Sequence, residues 1–436
     1  MRVASAAEIL GDLTVLGRDE RAEQQALKRL CAWAYQFTPI VSPVPCDGLL
    51  LEIKGSLKLF GGIDELLNHV RRGLRELGYR ATLAVAPTPL AATVLARSER
   101  QKLIFNKDEL SHTLADLPLE SLRLEAKEQA VLDSIGARSI GDCLRLPHAG
   151  LGRRTAPRLI ETFRRLTGQA ADPRPRFELP KLFHSSIEIP WETSNAQSLG
   201  LAGERLLHEL VGYLRGCAAV TRRLRWSLNA VHGDAVHFQT ELTRPTREYA
   251  HFVLLLREQL SRMQLKGRIS ALALYVDDVS PEQQARVDDL FQQHRDGNTE
   301  DWPSFLDRLR ARLGEQAVRG LQRVADHRPE CAWRWSNVAS GQARSGHAEA
   351  HRAAGSPARP VWLMRRPIRL SPTDGQLSLN GPLRFLEERE RIETGWWDGK
   401  PVGRDYFVAA NPSGARLWIY RELSGAKHWY LHGIFE

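Results

Sequence analysis

The chain has 436 residues, 42% of them hydrophobic, with a formal net charge of +9 and a pI near 9.5. This length and apolar content imply about two to four domains with ordinary cores and exclude wholesale disorder; the basic balance permits nucleic acid or an acidic membrane surface as partner without selecting either. Five scattered cysteines (Cys31, Cys46, Cys143, Cys217, Cys331) with no C-x-x-C spacing exclude a disulfide framework and a zinc site, and no run of apolar residues is long enough to span a membrane, so a reducing, cytoplasmic setting is expected.

Met1 to Leu16 reads as a short Ala-rich helix and a brief apolar piece; it carries acids and no long apolar core, unlike a signal peptide. From about Glu20 the apolar residues Leu27, Leu30, Cys31, Ala34 and Phe37 predict a one-faced helix ended by Pro39, followed by an extended crossing over Val41–Pro45. Leu49-Leu50-Leu51-Glu52-Ile53, between Asp47-Gly48 and Gly61-Gly62, predicts a buried strand with Asp47 at its mouth. Ile63, Leu66, Leu67, Val70, Leu74 and Leu77 predict the next helix, Ala81–Ala86 a second strand, and Thr88-Pro89 the cap and first turn of another helix. Alternating strands and helices make the first hundred residues α/β or α+β.

Asp108 to Gly168 is helical and broken by glycines. Val131 to Asp142 predicts helix, glycine hairpin at Gly136, helix, which is the helix-hairpin-helix shape. From Gly136 to Gly168 seven arginines, among them Arg138, Arg153 and Arg154, face two acids. Amide groups at such a hairpin suit phosphate, and the arginines would add a salt-dependent charge term. The same stretch fits two helices joined by a glycine turn with a solvated basic face. Ala170 to Pro180, with three prolines, reads as a linker.

Lys181 to Asp278 predicts the order strand (Phe183–Ile189), helix (Leu199–Gly216), strand (Ala219–Ala230), strand (Val236–Leu242), helix (Thr246–Leu265), strand (Ile269–Val276). That is a ferredoxin-like unit with two helices on one face of a sheet and the other face open. Arg223 and Arg225 point the same way on one strand, with Lys266 and Arg268 at the start of the last. This face could lie on a nucleic-acid backbone or be ordinary solvated surface.

Beyond Val279 the Leu290-Phe291 pair in a polar, acidic stretch fits a peptide anchor or the last turn of a packed helix. Trp302 to Leu321 predicts a packing helix, and Ser340 to Pro360 a linker. Arg359 to Glu436 predicts short strands and turns, with Asn411-Pro412-Ser413-Gly414 turning a hairpin and Trp429–Phe435 as a last strand; its aromatics suit a small sheet core or base contacts.

CDGLLLEIKGSLKLFGG (Cys46–Gly62) followed by ATLAVAPTPLAATVLA resembles the palm of Y-family translesion DNA polymerases. VADHRPECAWRW, RPVWLMRRPIRL, RIETGWWDGKPVGRDYFVA and HWYLHGIFE resemble the ImuB group within that family. The resemblance implies an α+β, multidomain chain: partial fingers and palm over 1–107, a helical thumb with the helix-hairpin-helix over 108–169 and a linker over 170–180. A little finger on DNA over 181–278, a partner-binding region and linker over 279–358, and a β-rich C-terminal region over 359–436 would follow.

Active members of the family resemble this stretch with an Asp-Glu pair before the apolar strand and a further Asp on an earlier palm strand. Here Asp47 holds the first place and Gly48 the second, and the chain starts as if the first palm strand and most of the fingers were missing. A palm lacking that strand would expose an edge and be less stable than a longer form. A single carboxylate cannot clamp the two Mg²⁺ ions of nucleotidyl transfer. The resemblance thus implies a non-catalytic, DNA-binding adaptor in damage-induced translesion synthesis, holding no cofactor. Its partners would be the sliding clamp (through Leu290 and Phe291), a small RecA-like protein and an error-prone C-family polymerase. The alternatives are an active Y-family DNA polymerase using Mg²⁺ with replacement carboxylates such as Glu52 or Asp64, and a DNA-binding module with no polymerase partner.

Overall fold

The computed structural model describes residues 17–99, 102–146, 157–265, 267–283, 302–337, 359–373 and 376–435. The expectations for Met1–Leu16, Arg153, Arg154, Lys266, Leu290, Phe291 and residues 340–358 fall outside these residues. The fold is α+β and divides into two compact units, Met1–Arg312 and Leu313–Glu436.

The first unit holds three apolar clusters. Helix α1 (Glu20–Ala34) starts at Asp19, whose carboxylate accepts from the Arg21 and Ala22 amides. Strands β1 (Val41–Val44) and β2 (Gly48–Leu51) form an antiparallel hairpin, Val44 opposite Gly48 and Val41 opposite Leu51, with Cys46 at φ 74° in the turn. The crossing segment is therefore a strand. The apolar run is half-buried rather than buried, because the sheet has two strands and covers one face only. Helices α2 (Ile63–Glu76) and α3 (Pro89–Arg97) form as expected, with Leu66, Leu67, Val70 and Leu74 inward and Thr88 capping α3. The strand expected over Ala81–Ala86 does not form: apart from one parallel bridge between Val85 and Leu103, no described strand offers this segment an edge.

The glycine-broken segment contains helices α4 (Leu110–Leu114), α5 (Ala126–Ser134), α6 (Ile140–Arg145) and α7 (Pro157–Thr167). They surround a leucine-rich cluster that includes Leu110, Leu114, Leu132, Leu159 and Phe163. Gly136 turns between α5 and α6 at φ 74°.

Strand β3 (Phe183–Thr193), helix α8 (Ala196–Gly216), strands β4 (Ala219–Ala230) and β5 (Val236–Thr246), helix α9 (Tyr249–Arg262) and strand β6 (Ile269–Val276) form the expected β-α-β-β-α-β unit. The strands stand in the order β3-β6-β4-β5 with every neighbour antiparallel, and β7 (Val279–Pro281) extends along the start of β4. Leu224, Trp226, Leu228, Leu272 and Leu274 face the helices.

Helix α8 also packs on α1. Trp33 lies between glycines on two helices: a Cβ on Gly212 would come within 2.4 Å of its ring, and so would one on Gly73. Glu209 on α8 is buried, receives the Ser185 hydroxyl and stands 3.7 Å from Arg29 on α1. The segment from α1 to α3 and the β-α-β-β-α-β unit thus share packed surface.

Helix α10 (Trp302–Leu313) is shorter than its apolar pattern predicted. Gly314 at φ 95° ends it, and Leu321 sits 67% exposed in strand β8 (Arg319–Arg323). The buried side chains of α10 are Asp307, Arg310 and Ala311. Asp307 accepts from the Thr243 amide (2.7 Å), the Thr243 hydroxyl (2.6 Å) and His251 Nε2 (3.0 Å), so a polar anchor holds this helix to β5 and α9.

In the second unit β8 pairs with β9 (Trp333–Asn337) as a separate ribbon. The main sheet runs β10 (Trp362–Leu370), β17 (Trp429–Ile434), β16 (Arg416–Glu422), β15 (Val402–Ala410), β13 (Arg384–Phe385), with β14 (Glu390–Thr394) also on β15. A minor ladder joins β11 (Pro372–Thr373) to β12 (Gln376–Leu377). Asn411–Gly414 makes the expected turn between β15 and β16. Tyr406, Trp418, Tyr420 and His432 stack as a buried core, where aromatics were expected. His432 is 1% exposed; Tyr406 Oη lies 2.9 Å from its Nδ1, and desolvation lowers its pKa to about 4.

Candidate nucleic-acid interface

Asp47 lies in the β1–β2 turn, one residue before Gly48 opens β2. Its Oδ2 accepts from Arg97 Nε at 2.9 Å and stands 2.9 Å from Arg123 NH1; its Oδ1 lies 3.4 Å from Arg97 NH2. Arg97 closes α3, and Arg123 reaches in from a left-handed turn at φ 49°. Two guanidiniums therefore meet one carboxylate, leaving a local excess of positive charge. A divalent cation needs clustered carboxylates, and among the described residues no group of three or more acidic, histidine or cysteine side chains has the geometry to hold a metal. The residues at Asp47 do not fit a two-metal site.

The replacement carboxylates do not join it. Glu52 lies beyond the end of β2, and its Oε1 accepts the Lys54 amide. Asp64 sits in the first turn of α2. No local pattern points to the two arginines, which stand fifty and seventy-six positions away from Asp47.

At the helical hairpin, Gly136 supplies the turn, but its amide is spent on Asp133 O and those of Ile140 and Gly141 on Leu117 O and Ala115 O. The amides of Arg138 and Ser139 both donate to Asp142 Oδ2, at 3.1 and 3.0 Å. These bonds, with the Ser139 hydroxyl, lower the Asp142 pKa to about 2. The main chain here is satisfied internally, and the exposed Arg138 guanidinium is what the turn offers outward. Ser139-x-x-Asp142 has capping-box spacing, so this closure was legible in the sequence and was missed.

The open face of the sheet carries Arg223 and Arg225 together, as their spacing required. His184, Tyr275, Arg225 and Gln239 occupy directly paired positions on β3, β6, β4 and β5, making one row across the sheet. His184 and Tyr275 stack with centroids 4.3 Å apart. Beside them opens a groove of about 500 Å³ lined by Arg225, Trp226, His237, Phe238, Gln239 and Tyr275. The arginines are not free charges: Arg223 stands 3.6 Å from Glu241, Arg225 pairs with Asp277, and Arg268 stands 4.0 Å from Glu192. Arg268 precedes β6 rather than starting it. The face combines an aromatic pair, a groove and exchangeable ion pairs, a surface able to take a polyanion once its own carboxylates are displaced.

Comparison with known proteins agrees with the motifs. Residues 1–97 match the model of the impB/mucB/samB family. Along its full length the chain is similar to the protein ImuB of Caulobacter vibrioides (strain NA1000 / CB15N), 28% identical with 98% of that protein covered. A DNA polymerase IV of Pseudomonas fluorescens (strain Pf0-1) is 24% identical over 34% of this chain and 42% of its own length. Among solved structures, a Dbh ternary complex aligns with 64% of this chain and 84% of its own at 14% identity and a TM-score of 0.34. DinB from Sulfolobus solfataricus does so with 64% and 83%, at the same identity and score. The chain is ImuB-like and Y-family polymerase-like in sequence, and no described helix is long and apolar enough to cross a membrane.

Proposed function

We propose that the chain is a DNA-binding, polymerase-like adaptor of damage-induced translesion synthesis that does not itself transfer nucleotides. The observation that carries this reading is the state of Asp47, neutralised by Arg97 and Arg123 and followed by Gly48. At comparable distances two guanidiniums repel a divalent cation more strongly than one carboxylate attracts it. The full-length similarity to ImuB supports the setting. In this reading the open face around Arg223 and Arg225 and the outward Arg138 meet the DNA backbone. Leu290 and Phe291 dock on a sliding clamp, and a small RecA-like protein and an error-prone C-family polymerase supply the remaining partners in the cytoplasm.

Primer extension with Mg²⁺ and all four nucleotides tests the catalytic half. No extension is expected from the wild type or from Asp47→Ala; extension that Asp47→Ala abolishes would establish the active polymerase instead. Binding to a primer–template duplex tests the other half. Arg223→Ala with Arg225→Ala should lower the slope of log affinity against log salt by about 1 to 2, and an unchanged slope would remove this face from the interface. Leu290→Ala with Phe291→Ala should abolish clamp binding; unchanged binding would remove that anchor.

A further inference from the structure

The ribbon of β8 and β9 has a face that the adaptor reading does not use. Its register sets Leu321 opposite Trp335 and Arg323 opposite Trp333, and alternation puts Arg319 on the same side. Trp333 is 43% exposed, Trp335 51% and Leu321 67%. The two indoles meet edge to face, with centroids 5.4 Å apart. The opposite side is closed by a hydrogen bond from Arg334 Nε to Gln322 Oε1, 3.0 Å long.

No carboxylate belongs to either strand of the ribbon. The acids in the loop between the strands are engaged elsewhere in the unit. Asp326 is held by Arg328, which also binds Asp398 and the Lys400 carbonyl, and Glu330 pairs with Arg404 at 2.8 Å. Arg319 donates to Gln316 alone among the described residues, and Arg323 has no described acidic partner. The loop end of the ribbon is therefore fastened to the sheet by ion pairs. Its other face presents two tryptophans, a leucine and two arginines.

We infer that this face is a second nucleic-acid site, for single-stranded DNA. Base–indole stacking needs unpaired bases, which a duplex withholds, and it is indifferent to sequence because every base has a π-face. The arginines supply the backbone charge complement. A protein partner would be offered apolar area by the tryptophans, but the absence of any acid and the presence of two cations on so small a face favour a polyanion whose units also stack. The inference does not depend on the sheet face around Arg225, which is read by duplex binding.

The test uses the full chain with fluorescein-labelled (dT)20 and, in parallel, the primer–template duplex without a single-stranded overhang. Trp333→Ala with Trp335→Ala should weaken (dT)20 binding at least about tenfold while leaving duplex binding within about twofold. Trp333→Phe with Trp335→Phe keeps both aromatic faces and should retain most of the affinity. Arg319→Ala with Arg323→Ala should reduce the single-strand salt slope by about 1.4. On the wild type, photo-cross-linking to a bromodeoxyuridine-substituted strand should mark the peptide that holds Trp333 and Trp335, a readout independent of how well the variants fold. Single-strand binding that survives the alanine pair, equal losses on both DNAs, or cross-links confined to residues 1–312 would each overturn the inference.

Discussion

Replacing Gly212 by alanine separates a close approach of helices from ordinary helix propensity. Within a helix, Gly→Ala is worth about 0.5–1 kcal/mol in favour of folding. Gly200 lies on the same helix with nothing within 4 Å of a new Cβ, so Gly200→Ala should keep that gain. At Gly212 the Cβ would stand 2.4 Å from Trp33 Cδ1 and 2.9 Å from Gln36 Nε2. The indole has no retreat, since its far edge is already 2.4 Å from where a Cβ on Gly73 would be. Overpacking of this kind costs about 1–3 kcal/mol. The net effect of Gly212→Ala is then a loss of about 0–2 kcal/mol, and the two alanine variants should differ by about 1–3 kcal/mol. Urea unfolding followed by circular dichroism measures the difference, and hydrogen exchange over residues 28–36 and 205–216 localises it. On a Trp33→Leu background, which makes room, Gly212→Ala should lose its cost. If Gly212→Ala proves as stable as Gly200→Ala, the packing of α8 on α1 is not as tight as described.

Three further outcomes follow from buried groups. His432 is held neutral, with its pKa lowered from 6.5 to about 4 by burial among Tyr406, Arg404 and Glu330, so the unfolded chain takes up its proton first as pH falls. Stability of the second unit should be full above pH 6.5 and decline between pH 6.5 and about 4, by about 3 kcal/mol, and His432→Gln should flatten that slope in thermal melts. Asp307→Asn weakens a carboxylate that takes three hydrogen bonds, so residues 302–313 should exchange amide hydrogens faster and lose about 1–3 kcal/mol of local stability, whereas unchanged protection would mean that α10 is held by other contacts. Burial pushes the Cys31 thiol up to about 12 and Cys143 up to about 11, so under native conditions iodoacetamide should label exposed Cys46 and leave both until the chain unfolds.

Much of the first unit was legible because its elements are one-faced. Strands Ala219–Ala230 and Ile269–Val276 have the expected bounds, since alternation and flanking turns define them from both sides. The inward face of α2 followed from the spacing of its leucines. Ala81–Ala86 was misread because apolar character marks a strand only where a neighbour supplies hydrogen bonds. The tail of the expected Trp302–Leu321 helix was misread because Leu321, beyond Gly314, serves a ribbon instead. At the candidate site, the pattern correctly set Arg223 and Arg225 on one face but could not reveal Glu241 and Asp277 beside them. Partners that come from other strands and turns leave no periodic trace.

The bond from Asp142 to the amides of Arg138 and Ser139 sets the terms on which the helical hairpin can meet DNA. The turn carries its own anion, already seated where a phosphate oxygen would need to bind. A backbone phosphate reaching those amides must evict a carboxylate of equal appetite for them, so the exchange yields little net affinity. What the segment adds is then long-range attraction from its guanidiniums, which fades as salt rises and is indifferent to where along the strand it acts. In the proposed reading such a hairpin would hold DNA near without fixing its register, leaving positional grip to other surfaces of the molecule.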